Sequence, residues 1–228
     1  MARTAVVAGV GPGLGESIAR RFHEEGCSVG LFARSTAYLE GLAEELGGRA
    51  LAVPTDVSDP AAVADGFAAV REAFGPVDVL VNNASGAAWK GLVDISHEEF
   101  DRALDVGVRS ALYCSQEAVR DMLDGDGGTV LFTGATTSVR GREGAVGFSA
   151  NKFAARGMAE SMARELGPEG VHVAHVVIDG GILDGEPERT ADAYLDPDAI
   201  AGEYWRLVEQ DRTAWTLELD LRPYVEEF

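Results

Sequence analysis

The chain has almost no lysine. Of its 19 basic residues only Lys90 and Lys152 are lysines, set against 38 Asp and Glu, for a net charge of −19. A surface this acidic repels polyanions, which argues against nucleic acid and anionic membranes as partners. Cysteine is scarce as well. Cys27 and Cys114 are too few and too far apart for a disulfide framework or a thiolate metal site, and both read as packing residues. No metal is expected. No apolar run approaches the roughly 20 residues that cross a bilayer. Met1 to Val7 lacks the layout of a secretory signal, so a cytoplasmic location is expected. Internal repeats and low-complexity segments are missing too.

The charge leaves two readings open, an ordinary acidic protein or one adapted to high salt. At about 1 M salt the Debye length is about 3 Å, and self-repulsion is screened. With 228 residues, 46% of them hydrophobic, the chain can build a substantial core, and residues 1–228 are expected to form one domain.

Thr4 to Arg21 organises the rest. Thr4 to Ala8 is a short Val-rich run, which predicts a buried strand. Gly9, Gly11, Gly13 and Gly15 follow, and then Leu14, Ile18 and Phe22 recur as on one helix face. Strand, glycine turn and helix together make a phosphate site. The glycines permit positive φ and close approach of a ligand, and the helix N-terminus offers unpaired N–H groups. The spacing does not fit Gly-x-Gly-x-x-Gly but does fit Gly-x-x-x-Gly-x-Gly, as Gly9, Gly13 and Gly15.

The pattern then alternates. Strands are expected at Ser28–Ala33, Ala50–Val53, Val77–Val81, Thr129–Thr133, Val171–Ile178 and Trp215–Leu219. Helices are expected over Tyr38–Leu46, after the Asp59-Pro60 cap, from Ser96 with Glu99 completing a capping box, within Gly144–Gly167, and from Pro197 to Glu209. Phe100, Leu104, Val108 and Leu112 repeat every four residues. His172 and His175 fall on opposite faces of a strand, which speaks against a metal pair. Alternation of this kind predicts an α/β fold, a doubly wound parallel sheet covered by helices on both faces. Ligands of such sheets bind at the carboxyl ends of the strands. The glycine loop, Arg34, Asp56 and Asn82 to Ser85 all lie there.

At this point the chain resembles the short-chain dehydrogenase/reductase family. Gly9-x-x-x-Gly13-x-Gly15 is similar to its cofactor loop and Asp56-Val57 to its adenine contact. Asn82-Asn83-Ala84-Ser85 resembles its Asn-Asn-Ala-Gly motif, and Ser149-Ala150-Asn151-Lys152 the Ser-Ala-Ser-Lys that follows its catalytic tyrosine. Asp179-Gly180 occupies the place of its Pro-Gly turn. The resemblance implies a Rossmann-type domain, an NAD(P)-dependent oxidoreductase acting on a small molecule, and a homodimer or homotetramer built through the two long helices. It carries over Gly9, Gly11, Gly13, Leu14, Gly15, Asn83, Ala84, Asp56, Val57, Lys152, Gly180 and Ile182 as cofactor contacts. An NAD site usually places a carboxylate after the second strand. Here Arg34 and Ser35 stand there, which favours NADP(H) over NAD(H).

The departures matter as much. Phe148 stands where the family has its proton-transferring tyrosine, Ala135 where it has the serine, and Gly107 where it has the helix-four asparagine. Of the four catalytic positions only Lys152 matches, and it is expected to bind the nicotinamide ribose. Thr136, Thr137, Ser138 and Glu143 are candidate polar groups nearby. The leading expectation is an oxidoreductase with a non-standard proton donor, or with none. The alternative is a cofactor-binding protein without dehydrogenase activity, acting as a sensor or partner subunit.

Overall fold

The computed structural model describes residues 2–183, 185 and 190–226. The order is β1 (Thr4–Ala8), α1 (Leu14–Glu24), β2 (Ser28–Ala33), α2 (Thr36–Leu46), β3 (Ala50–Pro54), α3 (Pro60–Phe74) and β4 (Val79–Asn82). It continues with α4 (His97–Leu104), α5 (Ser110–Asp124), β5 (Gly128–Thr133), α6 (Val146–Leu166), β6 (Val171–Ile178), β7 (Gly181–Ile182), β8 (Tyr194–Leu195), α7 (Pro197–Val208) and β9 (Glu218–Leu221).

Seven strands form one sheet in the order β3-β2-β1-β4-β5-β6-β9, every neighbouring pair parallel. This is the α/β, Rossmann-like arrangement the alternation predicts. Successive side chains of a strand point to opposite faces, so each central strand feeds two cores. Ala5 and Val7 of β1 join Ile18 and Phe22 of α1, Leu39 of α2 and Tyr204 of α7. Val6 and Ala8 join Phe67 of α3, Cys114 of α5 and Ala159 of α6. Both cysteines are buried and free. Strand order reverses between β1 and β4, so the loops after these two strands face each other across the switch point.

Local chemistry sets the helix starts as expected. The Asp59 carboxylate accepts from the Ala61 N–H with Pro60 in the first turn, and Ser96 and Glu99 cap reciprocally. Two expectations need correction. The seventh strand begins at Glu218, not at Trp215. The Trp215 ring is stacked on His172 at 4.9 Å, and the Gln210 side chain holds the Thr216 backbone, so the stretch is fixed before it can extend along β6. The Phe100–Leu112 repeat does not make one continuous α-helical face either. A π turn, Asp105–Arg109, separates α4 from α5, and the added residue rotates the stripe so that Leu112 is exposed.

The surplus of negative charge disfavours the compact state unless it is screened. The melting temperature is therefore expected to rise between about 0.1 M and about 2 M salt, as the Debye length falls from about 10 Å to below 3 Å. Calorimetry across that range checks it, and a flat response would remove the physical support for adaptation to salt.

Candidate active site

A cavity of about 1160 Å³ opens at the carboxyl ends of β1, β4, β5 and β6. The glycine loop forms one wall. Gly9 has φ +106°, and an added Cβ there would lie 2.4 Å from the Ala84 backbone nitrogen; at Gly15 it would lie 2.4 Å from the Gly9 carbonyl oxygen. Packing thus demands glycine at these two positions. At Gly11 nothing lies within 4 Å of the Cβ position, so the backbone there is open to an approaching ligand. The loop is tied to the next strand, since the Asn83 side chain donates to the Gly9 carbonyl at 2.8 Å. The chain runs from the loop into the N-terminus of α1, where Gly13 offers no side-chain cap.

The floor is Lys152. Its Nζ donates to the Thr133 carbonyl at 2.8 Å, and it has no carboxylate within ion-pair distance among the described residues. The Thr133 hydroxyl donates to Asn83 Oδ1 at 3.0 Å and lies 2.8 Å from the Tyr204 hydroxyl. One polar chain therefore runs from the glycine loop to Lys152. Burial lowers the Lys152 pKa from the ordinary 10.5 to about 8. Between these values the unfolded chain holds a proton that the folded chain has released, so stability rises with pH. Relative to Lys152→Met, the wild type is expected to gain roughly 3 kcal/mol from about pH 8 to 10.5. Denaturant unfolding of both proteins at several pH values reads this, and a constant difference would refute it.

The opposite wall is aromatic. Phe148 packs on Trp89 with ring centroids 4.6 Å apart, and Lys152 Nζ lies 5.6 Å from the Phe148 ring centre. The Arg142 guanidinium lies 5.4 Å from the Trp89 ring centre. At the end of β6, Asp179 is buried and accepts from the Thr136 hydroxyl at 2.6 Å, with Arg140 at 3.5 Å and Arg222 at 3.8 Å.

Of the residues singled out by sequence, Gly9, Gly11, Gly13, Leu14, Gly15, Asn83, Ala135, Phe148, Lys152, Gly180 and Ile182 line this cavity, as do Thr136, Thr137 and Glu143. Ser138 does not; it is fully buried, and its Oγ accepts from the Ala135 N–H. Arg34, Ser35, Asp56 and Val57 do not line it either. They follow β2 and β3, one and two strands over from β1. The Asp56 carboxyl is held below its ordinary value by hydrogen bonds from Ser58 and by the nearby positive charge of Arg34 and Arg102. Ala84 is packed under Gly9, and Gly107 is buried in the π turn. Sequence reasoning missed Trp89, Arg142, Thr133 and Tyr204. Trp89 left a trace as an aromatic in a polar loop, and it is 55% exposed. The pairing of Thr133 with Tyr204 spans 71 residues and leaves no local signal.

A family model described as short chain dehydrogenase matches residues 3–186. The chain belongs to that family. By family it is an NAD(P)-dependent oxidoreductase, and the match does not fix a substrate. Among its relatives is a 3alpha-hydroxysteroid dehydrogenase of Mediterraneibacter gnavus, 32% identical over 178 residues, covering 75% of this chain and 70% of the relative. Among solved structures, an alcohol dehydrogenase from the archaeon Thermococcus sibiricus complexed with 5-hydroxy-NADP superposes with a TM-score of 0.90 at 28% identity, covering 100% and 99% of the two chains. A 3-ketoacyl-(acyl-carrier-protein) reductase from Brucella melitensis complexed with NADH gives a TM-score of 0.87 at 28% identity, covering 96% of each. Short-chain dehydrogenases of this fold thus bind either dinucleotide. No helix among the described residues is long and apolar enough to cross a membrane.

Proposed function

We propose that this short-chain dehydrogenase is an NADP(H)-preferring oxidoreductase with a non-standard active site. One observation carries the reading: a single cavity joins the glycine loop to Lys152 but holds a phenyl ring, Phe148, where the family's proton-transferring tyrosine belongs. The residues present fit a dinucleotide. The open backbone at Gly11 and the start of α1 suit the pyrophosphate, Arg34 and Ser35 a 2′-phosphate, and Asp56 and Val57 the adenine. Lys152 uses one of its three ammonium donors on Thr133, which leaves two for ribose hydroxyls. Gly180 and Ile182 border the nicotinamide end.

When bound, the nicotinamide supplies or accepts a hydride. The chain's own residues then have to handle the proton. Phe148 has none to give, and Ala135 lacks a hydroxyl to hold a substrate oxygen. The Thr136 hydroxyl is already committed to Asp179. Reduction of an activated double bond suits such a site, because hydride goes to carbon and a weaker donor or water delivers the proton. The absence of a hydroxyl at both Phe148 and Ala135 also supports a second reading, a cofactor-binding protein without dehydrogenase activity.

Leu112 and Leu123 on α5 and Phe153 on α6 are exposed, which supports association of copies through these helices into a dimer or tetramer. Titration with NADPH and NADH at high salt, followed by a turnover screen on ketones and enones, tests the proposal. Failure to bind either dinucleotide would refute it, and binding without turnover would select the second reading.

A further inference from the structure

Gly107 and Asn151 compete for one slot. A Cβ built on Gly107 would lie 2.0 Å from both Nδ2 and Oδ1 of Asn151 and 2.2 Å from its Cγ. No side chain fits at 107 while Asn151 keeps its place. Asn151 is 1% exposed, and its Nδ2 donates to the Gly86 carbonyl at 3.3 Å. Gly86 is itself pressed onto α4, since a Cβ there would lie 2.8 Å from Ala103 Cα. The π turn, the loop after β4 and the start of α6 therefore meet around a single carboxamide. A π turn inside a helical run often marks a functional position.

The loop this carboxamide holds is the one that sets the cavity. Three residues before Gly86, Asn83 is bonded to Gly9, and the Ala84 N–H donates to the Ala8 carbonyl at 2.7 Å. On the other side Asn151 directly precedes Lys152. We propose that Asn151 is a positioning residue. It supplies from α6 the carboxamide that a side chain at 107 would otherwise supply from the π turn, and it fixes the loop after β4 relative to the glycine loop and Lys152. The slot accepts an amide from either helix, but not from both. This inference rests on the dinucleotide reading of the cavity.

The test moves the asparagine back, in Asn151→Ala, Gly107→Asn and the double variant. NADPH affinity is read from the fluorescence of the bound dihydronicotinamide, and folding from the melting temperature. Asn151→Ala leaves the Gly86 carbonyl unpaired and is expected to weaken NADPH binding about tenfold. Gly107→Asn alone is expected to weaken it at least as much and to lower the melting temperature. The double variant is expected to bind within about threefold of wild type, because the amide returns to its slot without the clash. Should Gly107→Asn fail to fold alone, folding and binding by the double variant still read the exchange. Met122→Ala, at the far end of α5 from the cavity, controls for plain loss of stability and is expected to lower the melting temperature with NADPH affinity unchanged. If Asn151→Ala binds like wild type, or if the double variant loses as much as the two singles combined, the inference is overturned. If wild type binds neither NADPH nor NADH, the underlying reading falls and this inference with it.

Discussion

Wild-type protein is expected to reduce ordinary ketones with NADPH very slowly, and Phe148→Tyr combined with Ala135→Ser to raise the rate by more than the product of the two single effects. Proton transfer by a placed side chain contributes roughly 10²–10⁴-fold. A donor to the developing oxyanion contributes about 10²–10³-fold. Both positions line the cavity, and both present only hydrocarbon side chains. Lys152 remains beneath the Phe148 ring, so a tyrosine hydroxyl would enter a site that already carries positive charge. Phe148→Tyr alone is expected to recover little, because the hydroxyl would have no partner at 135, and groups that act as a unit are not additive. Steady-state rates for wild type, both singles and the double decide the matter. Robust wild-type turnover that Phe148→Tyr leaves unchanged would assign the proton chemistry to another residue.

Arg34→Ala is expected to weaken NADPH binding about 10- to 100-fold and to leave NADH binding nearly unchanged, the range for losing charge-assisted bonds to a phosphate. Arg34 stands just past the end of β2, with no acidic residue beside it at positions 33 and 35. In a chain with 38 acidic residues against 19 basic ones, an arginine is easily satisfied by a carboxylate. Arg20, Arg71 and Arg156 each pair with two of them. Arg34 forms no close ion pair among the described residues and acts on Asp56 only at longer range. That leaves its guanidinium available to an anion. Equal affinities for the two dinucleotides, in wild type and variant alike, would count against the assignment.

The sequence by itself determined the sheet and the glycine loop. Each of these is written in contiguous residues. Thr4–Ala8 is a strand because five small or branched residues are buried there, and position 9 in the loop after it and position 15 in the first turn of α1 are glycine because backbone occupies the space a Cβ would need. The Ser149–Lys152 run supplies, by resemblance, the register on which Phe148 is proposed to stand at the tyrosine position. Where local pattern competed with distant contacts, only the tertiary structure decided. The period-four stripe from Phe100 to Leu112 suggested a single helix, but a π turn interrupts it at the buried Gly107, against Asn151. Trp215 carried the signal of a strand start and became a stacking partner for His172, the second residue of β6 and 43 residues away in sequence. The polar chain from Gly9 through Asn83 and Thr133 to Lys152 joins residues from three strands' ends and one helix, and Tyr204 reaches it from a fifth element, α7. Propensity and periodicity act over a few residues, whereas these contacts are set by how helices pack across a twisted sheet, so they first exist when the fold does.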